Sequence, residues 1–161
     1  MTFTREPISE VLVHELVRFV DERGFLLETF RMDVLPQDLR PVMSYVSYTE
    51  PGVTRGPHEH ACQTDVFAFV GPANFKVVLW DNRKQSATYG HKMALFAGQD
   101  SPRLLVVPPG VVHAYQNVSR TQSGMVINYP DRLYGGWHKK EGVDEIRHED
   151  QQDVFYLDFG R

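Results

Sequence analysis

Three histidines and one aspartate stand out because of where they fall. The stretch GVTRGPHEHACQTDVFAFVG, residues 52–71, holds His58, His60 and Asp65, and PPGVVHAYQN, residues 108–117, holds His113. Histidines two apart at the start of a strand point to one face, so His58 and His60 should share a side. A neutral imidazole is the common biological base near neutral pH. Three such nitrogens and one carboxylate could equally hold a divalent Fe, Mn, Ni or Zn. His113 enters its strand just after a Pro-Pro-Gly reversal, and two histidine-bearing strand starts in one small chain suggest a single pocket.

The elements that must carry these residues read as short strands. Val11 to Val20 favours a strand that turns at Asp21-Glu22-Arg23-Gly24, with Phe25 to Met32 as its return. Leu35 to Leu39 contains a proline and reads as a turn or one helical turn. Val42 to Tyr48, Val66 to Val70, Asn74 to Trp80, Leu104 to Val107, His113 to Val118 and Gly124 to Asn128 follow as strands, with Ser86 to Phe96 extended. Strands this short, with turn signals at regular spacing, predict an all-β sandwich or barrel. The barrel should run from about residue 11 to 134, followed by a tail over 135–161, all in one domain. Lys139 to Asp153 is mostly charged and is expected to hold one short helix, with Asp144 near its start, before Val154-Phe155-Tyr156 docks.

Composition narrows the partners. The chain has 161 residues, 42% hydrophobic and 24% charged, which suits a packed globular domain. A formal charge of -4 gives no basic footprint for nucleic acid. Cys62 is the single cysteine, so a reducing, cytoplasmic home is the simplest reading. No apolar leader or membrane-length apolar run is evident.

The spacing of the two histidine segments resembles the paired motifs of the cupin superfamily, which implies a double-stranded β-helix, the jelly-roll barrel, here with a partly helical tail. A more specific resemblance covers most of the chain. Asp21-Glu22-Arg23-Gly24-Phe25 with Glu28 and Phe30, then Gly52-Val53-x-Arg55-Gly56-x-His58, then Pro109-Gly110-Val111-x-His113, are similar in order to the motifs of the dTDP-4-dehydrorhamnose 3,5-epimerase family. That resemblance implies a metal-free homodimeric cupin, with no cofactor, acting on a nucleotide-diphosphate 4-keto-6-deoxy sugar. His58 would be the base and Tyr134 the acid on the opposite face. Arg23 and Arg55 would bind the sugar nucleotide, with Glu28 near the base end and Tyr115 in the pocket wall.

Two positions depart from the epimerase pattern. Asp65 stands nearest to where the family places a lysine that stabilises the enolate, and a carboxylate there calls for some other source of positive charge. The candidates are His60 as imidazolium, a proton on Asp65, or a bound metal. His60 itself is the second departure: the RGxHxH run resembles the dTDP-sugar 3,4-ketoisomerases, in which two histidines shuttle protons. Hence His60, Asp65 and His113 are read as tuning protonation. Two other readings stay open: a metal-dependent dioxygenase or isomerase using His58, His60, Asp65 and His113, and a sugar-nucleotide binder without turnover. Trp80 and Trp137 read as anchors, and His14, His91, His138 and His148 as surface residues.

Overall fold

The computed structural model describes residues 3–149 and 154–156. Thirteen strands account for nearly all of its regular structure. They are β1 (Thr4–Arg5), β2 (Leu12–Glu15), β3 (Arg18–Asp21), β4 (Gly24–Leu27), β5 (Tyr45–Thr49), β6 (Thr54–His60) and β7 (Asp65–Gly71). The rest are β8 (Asn74–Asp81), β9 (His91–Gly98), β10 (Arg103–Val107), β11 (Val111–Asn117), β12 (Gly124–Asn128) and β13 (Glu145–Arg147). One sheet runs β1-β9-β8-β11-β6-β13 and faces a second of order β2-β10-β7-β12-β5, while β3 and β4 form a separate hairpin. This is the expected jelly-roll barrel.

Alternation along each strand decides what lies inside. In β7, Phe67 and Phe69 join Phe75, Val77, Leu79 and Tyr115 in the core between the sheets, while Val66 and Ala68 face outward. Those outward residues are covered by Leu35 and Leu39. The outer face of the other sheet, carrying Val78, Trp80, Val112 and Ala114, is covered by Phe155. With both faces covered, β7 and β8 read as nearly continuous apolar runs.

Several boundaries differ from the sequence reading. The first long strand is two, because the chain leaves β2 at Leu16 and re-enters a separate hairpin at Arg18. Ser86 to Gly90 is turn rather than extended, since the Ser86 and Thr88 hydroxyls donate to the Asp81 carboxylate at 2.7 and 2.6 Å and wind the loop around it. The tail also differs. Its helical content is the 3-10 turn Trp137–Lys139, and Asp144 precedes a strand, not a helix, because β13 adds to the edge of β6 with Glu145 opposite His60 and Arg147 opposite His58. The remainder of the expected tail helix, residues 150–153, lies outside the described residues. No helix among the described residues is long and apolar enough to cross a membrane.

Candidate active site

The site is built where β6, β7, β11 and β12 meet at one end of the barrel. Between Arg55 and His58 on β6 there are three steps, matched by only two between Tyr115 and His113 on β11, so β6 carries one extra residue. That bulge shifts the strand's phase, and Arg55 and His58 both line the same cavity despite their odd separation. Gly56 makes it possible: its φ is +77°, and a Cβ there would sit 2.5 Å from the His113 carbonyl oxygen. Beyond the bulge the strand alternates normally. His60 points inward, while Glu59 points outward to Asn82 at 2.8 Å and His148 at 3.0 Å.

His58, His60, Asp65 and His113 converge, each offering a ligand-type atom within 4.8 Å of the others. Asp65 is the hub and is almost fully buried. Its Oδ1 accepts from the amides of Gln63 at 2.9 Å and Asn128 at 2.7 Å. Its Oδ2 lies 3.2 Å from His60 Nε2 and 3.4 Å from His113 Nε2. Burial alone would raise the Asp65 pKa, but the two imidazoles outweigh it and hold the carboxyl well below the usual carboxylate range.

Backbone carbonyls fix the tautomers. A carbonyl oxygen can only accept, so His60 Nδ1–H donates to Asp144 at 2.5 Å and His113 Nδ1–H donates to Val111 at 3.1 Å. The Nε2 of each ring is therefore the atom that faces Asp65. Burial pulls the His60 pKa down, but the Asp65 carboxylate beside it outweighs burial and the net shift is upward. His58 moves the other way, pushed down to about 2 by burial first and by His113 next, so it stays neutral. Neutral His58 keeps a lone pair beside the cavity, its low pKa making it a weak base in the free protein, and the His60 imidazole lies against the Asp65 carboxylate behind it.

The cavity before His58 has a volume of about 310 Å³ and is walled by Tyr45, Ser47, Arg55, Phe67 and Tyr115. It adjoins a wider cleft of about 840 Å³ that shares His60, Gln63 and Tyr134 with it. Tyr115 is buried and its hydroxyl bonds Ser47 at 3.0 Å. Arg55 sits at the rim, steadied by the Thr49 hydroxyl at 2.9 Å and the Tyr48 carbonyl at 2.7 Å. Arg23 and Glu28 do not line this cavity: Arg23 is exposed at the tip of the β3–β4 hairpin against Asp21, and Glu28 pairs with Arg31 at 3.2 Å.

Sequence reasoning missed Tyr45, Gln63, Asn128, Glu145 and Arg147, all at or behind the cavity. Only Tyr45 had a usable signal, since it shares the inward phase of Ser47 on β5. The reading of His148 as a surface residue is corrected: it is buried, pairs with Glu59 and packs its ring on Phe155 at 4.8 Å. Trp137 is not an anchor, being 73% exposed at the edge of the wide cleft.

The residues also fit a cupin metal. Asp65 Oδ2 and His113 Nε2 are buried 3.4 Å apart, within ion-pair range but out of good hydrogen-bond geometry, and imidazoles whose other nitrogen donates to a carbonyl are common metal ligands. His58, His60, Asp65 and His113 would hold such an ion, and it would supply a Lewis acid.

A jelly-roll barrel with histidines of paired strands gathered at its mouth around a carboxylate defines a cupin. The family model described as dTDP-4-dehydrorhamnose 3,5-epimerase matches residues 5–151, and the chain belongs to that family. A probable low-salt glycan biosynthesis epimerase, Agl13, of Haloferax volcanii is 34% identical over 128 residues, spanning 79% of this chain and 81% of that relative. The crystal structure of a dTDP sugar isomerase from Desulfovibrio desulfuricans G20 superposes with a TM-score of 0.76 at 26% identity, covering 90% of this chain and 87% of the other. That of the dTDP-4-dehydrorhamnose 3,5-epimerase from Bacillus anthracis, with TDP and PPi bound, gives 0.70 at 26% identity, covering 85% and 81%.

Proposed function

We propose that this chain epimerises or isomerises a dTDP-activated 4-keto-6-deoxy sugar on the way to a glycan, by moving a proton on the carbon beside the ketone. The observation that carries this is the pairing of family membership over residues 5–151 with a half-buried, neutral His58 facing a sugar-sized cavity. His58 takes the proton. The C–H electron pair becomes the enolate, with its charge on the keto oxygen, and Tyr134 gives a proton to the opposite face. His60, Asp65 and His113 hold the charge balance behind His58. Arg55 and Tyr115 contact the sugar nucleotide, and the wide cleft beside Tyr134 takes its nucleotide end.

We place the enzyme in the cytoplasm as a homodimer. Arg23 and Glu28 are remote from the cavity of their own chain, so a contact with substrate through the hairpin requires the cavity of a second copy. Incubation with dTDP-4-keto-6-deoxyglucose in deuterated water tests the reaction: deuterium should enter the sugar, and a sugar recovered without it would rule the proposal out.

A second reading is favoured by the convergence of three imidazoles and the Asp65 carboxylate, with no well-formed hydrogen bond at Asp65 Oδ2 or His113 Nε2. Under it the four-residue cluster holds a divalent transition metal. Elemental analysis of protein purified without chelator separates the two, since stoichiometric metal is expected only under this one.

A further inference from the structure

Asn128 is buried inside the barrel and its amide orientation is fixed. The side-chain oxygen accepts the Val66 N–H at 3.0 Å, which turns the NH2 group the other way. Of its two hydrogens, one goes to Asp65 Oδ1 at 2.7 Å and the other to the Tyr45 hydroxyl oxygen at 2.9 Å. An amide nitrogen cannot accept in return. The Tyr45 O–H proton is therefore left over, and no acceptor for it occurs among the described residues. Tyr45 lines the same cavity as His58, so this proton is available to whatever occupies that space.

We propose that Tyr45 donates this hydrogen bond to the keto oxygen of the bound sugar and holds the negative charge that develops there while His58 removes the neighbouring proton. The inference rests on the proposed function and answers the question that Asp65 raises, because Asp65 occupies the place where a cation would otherwise meet that charge. The Asp65 carboxylate is itself tied up by Gln63, Asn128 and the two imidazoles. One of its links to the cavity runs through Asn128 to Tyr45, and donation from Asn128 to the phenol oxygen polarises the O–H in the useful direction. Burial, then the Asp65 charge, pushes the Tyr45 phenol up, so it remains a donor at any working pH. No proton leaves Tyr45 in this step: it donates a hydrogen bond and keeps its O–H bond. The proton returned to carbon comes from Tyr134.

The substitution Tyr45→Phe removes the hydroxyl and leaves the ring. Loss of one oxyanion donor should lower kcat for deuterium incorporation about 100-fold or more, with KM changed by less than about threefold. A second measurement needs no turnover. In His58→Asn protein the carbonyl stretch of bound dTDP-4-keto-6-deoxyglucose should lie at lower frequency than in the His58→Asn, Tyr45→Phe double variant. Wild-type-like kcat in Tyr45→Phe, or identical stretches in the two inactive proteins, overturns the assignment. If wild-type protein incorporates no deuterium the proposed reaction fails, and the carbonyl stretch still decides for or against Tyr45.

Discussion

The main-chain carbonyl of Asp144 accepts the Nδ1–H of His60 at 2.5 Å, and through this bond the C-terminal segment reaches the inside of the barrel. The Asp144 carboxylate meanwhile receives the backbone N–H groups of Ala61 at 3.0 Å, Cys62 at 2.9 Å and Gln63 at 2.8 Å. One residue thus sets both the turn that leads from His60 to Asp65 and the tautomer of His60. Replacement by alanine strands three donors, so Asp144→Ala should lose about 1–3 kcal/mol in urea unfolding. Asp144→Asn keeps an acceptor and should lose less; equal losses in the two variants would count against this role.

Asp65 offers a sharper test of the hub. Both its oxygens face groups that match a negative charge, and none of it reaches water. Asp65→Ala leaves two amides and two imidazoles turned toward an empty space, and should destabilise by about 3 kcal/mol or more. Asp65→Asn preserves shape and should be milder, while returning the His60 pKa toward its ordinary value. An NMR titration of His60 in that variant checks the second point.

Much of this was legible because it depends on strand parity. His58-x-His60, the apolar run of β7 and the glycine-bounded turns prescribe a barrel with two histidines facing in, and the paired motifs add His113. What sequence could not supply was anything that depends on long-range pairing. Glu145 and Arg147 flank the cavity only because β13 adds to β6, a contact 85 to 89 positions apart in the chain, as His60 opposite Glu145 and His58 opposite Arg147 illustrate. Asn128 and Tyr45 are ordinary strand residues until β12 and β5 pair across Asp65. The charged stretch after Trp137 looked helical because its local composition permits a helix. Edge pairing to β6 and the Asp144 bonds overrode that preference.

The pH behaviour follows from opposite shifts within one cluster. His58 is held near 2 when folded against 6.5 ordinarily, so below pH 6.5 the unfolded chain binds a proton that the folded chain refuses. Stability therefore rises with pH over that window, and His58 destabilises increasingly as the solution is acidified from 6.5. His60 is raised: its contribution is full below 6.5 and fades as pH climbs through its folded value. Asp65 is lowered: its contribution is present above 3.8 and is lost as pH falls through its folded value. His58→Asn should accordingly show a shallower fall in Tm between pH 6.5 and about 4 than the wild type. In the active enzyme kcat/KM should not drop on acidification through 6.5, since the base is already unprotonated there.

The β3–β4 hairpin carries the remaining prediction. Val20, Phe25 and Leu26 are 76%, 57% and 62% exposed, an apolar surface too large to leave wet on a two-stranded ribbon. Among the described residues Arg23 at its tip is paired with Asp21 alone, at an exposed site where such a pair is worth little, so it can be redirected to an anionic ligand at little cost to the fold. If the hairpin lies on a second copy, Arg23 of one chain and His58 of the other serve the same substrate. Arg23→Ala and His58→Asn proteins, each weak or inactive alone, should then recover activity when unfolded together and refolded as a mixture, because some dimers contain one cavity with both residues intact. Recovery tracked against the mixing ratio should peak at equal amounts. A mixture no more active than the sum of its parts, from protein that sediments as a dimer, would place Arg23 outside the reaction altogether.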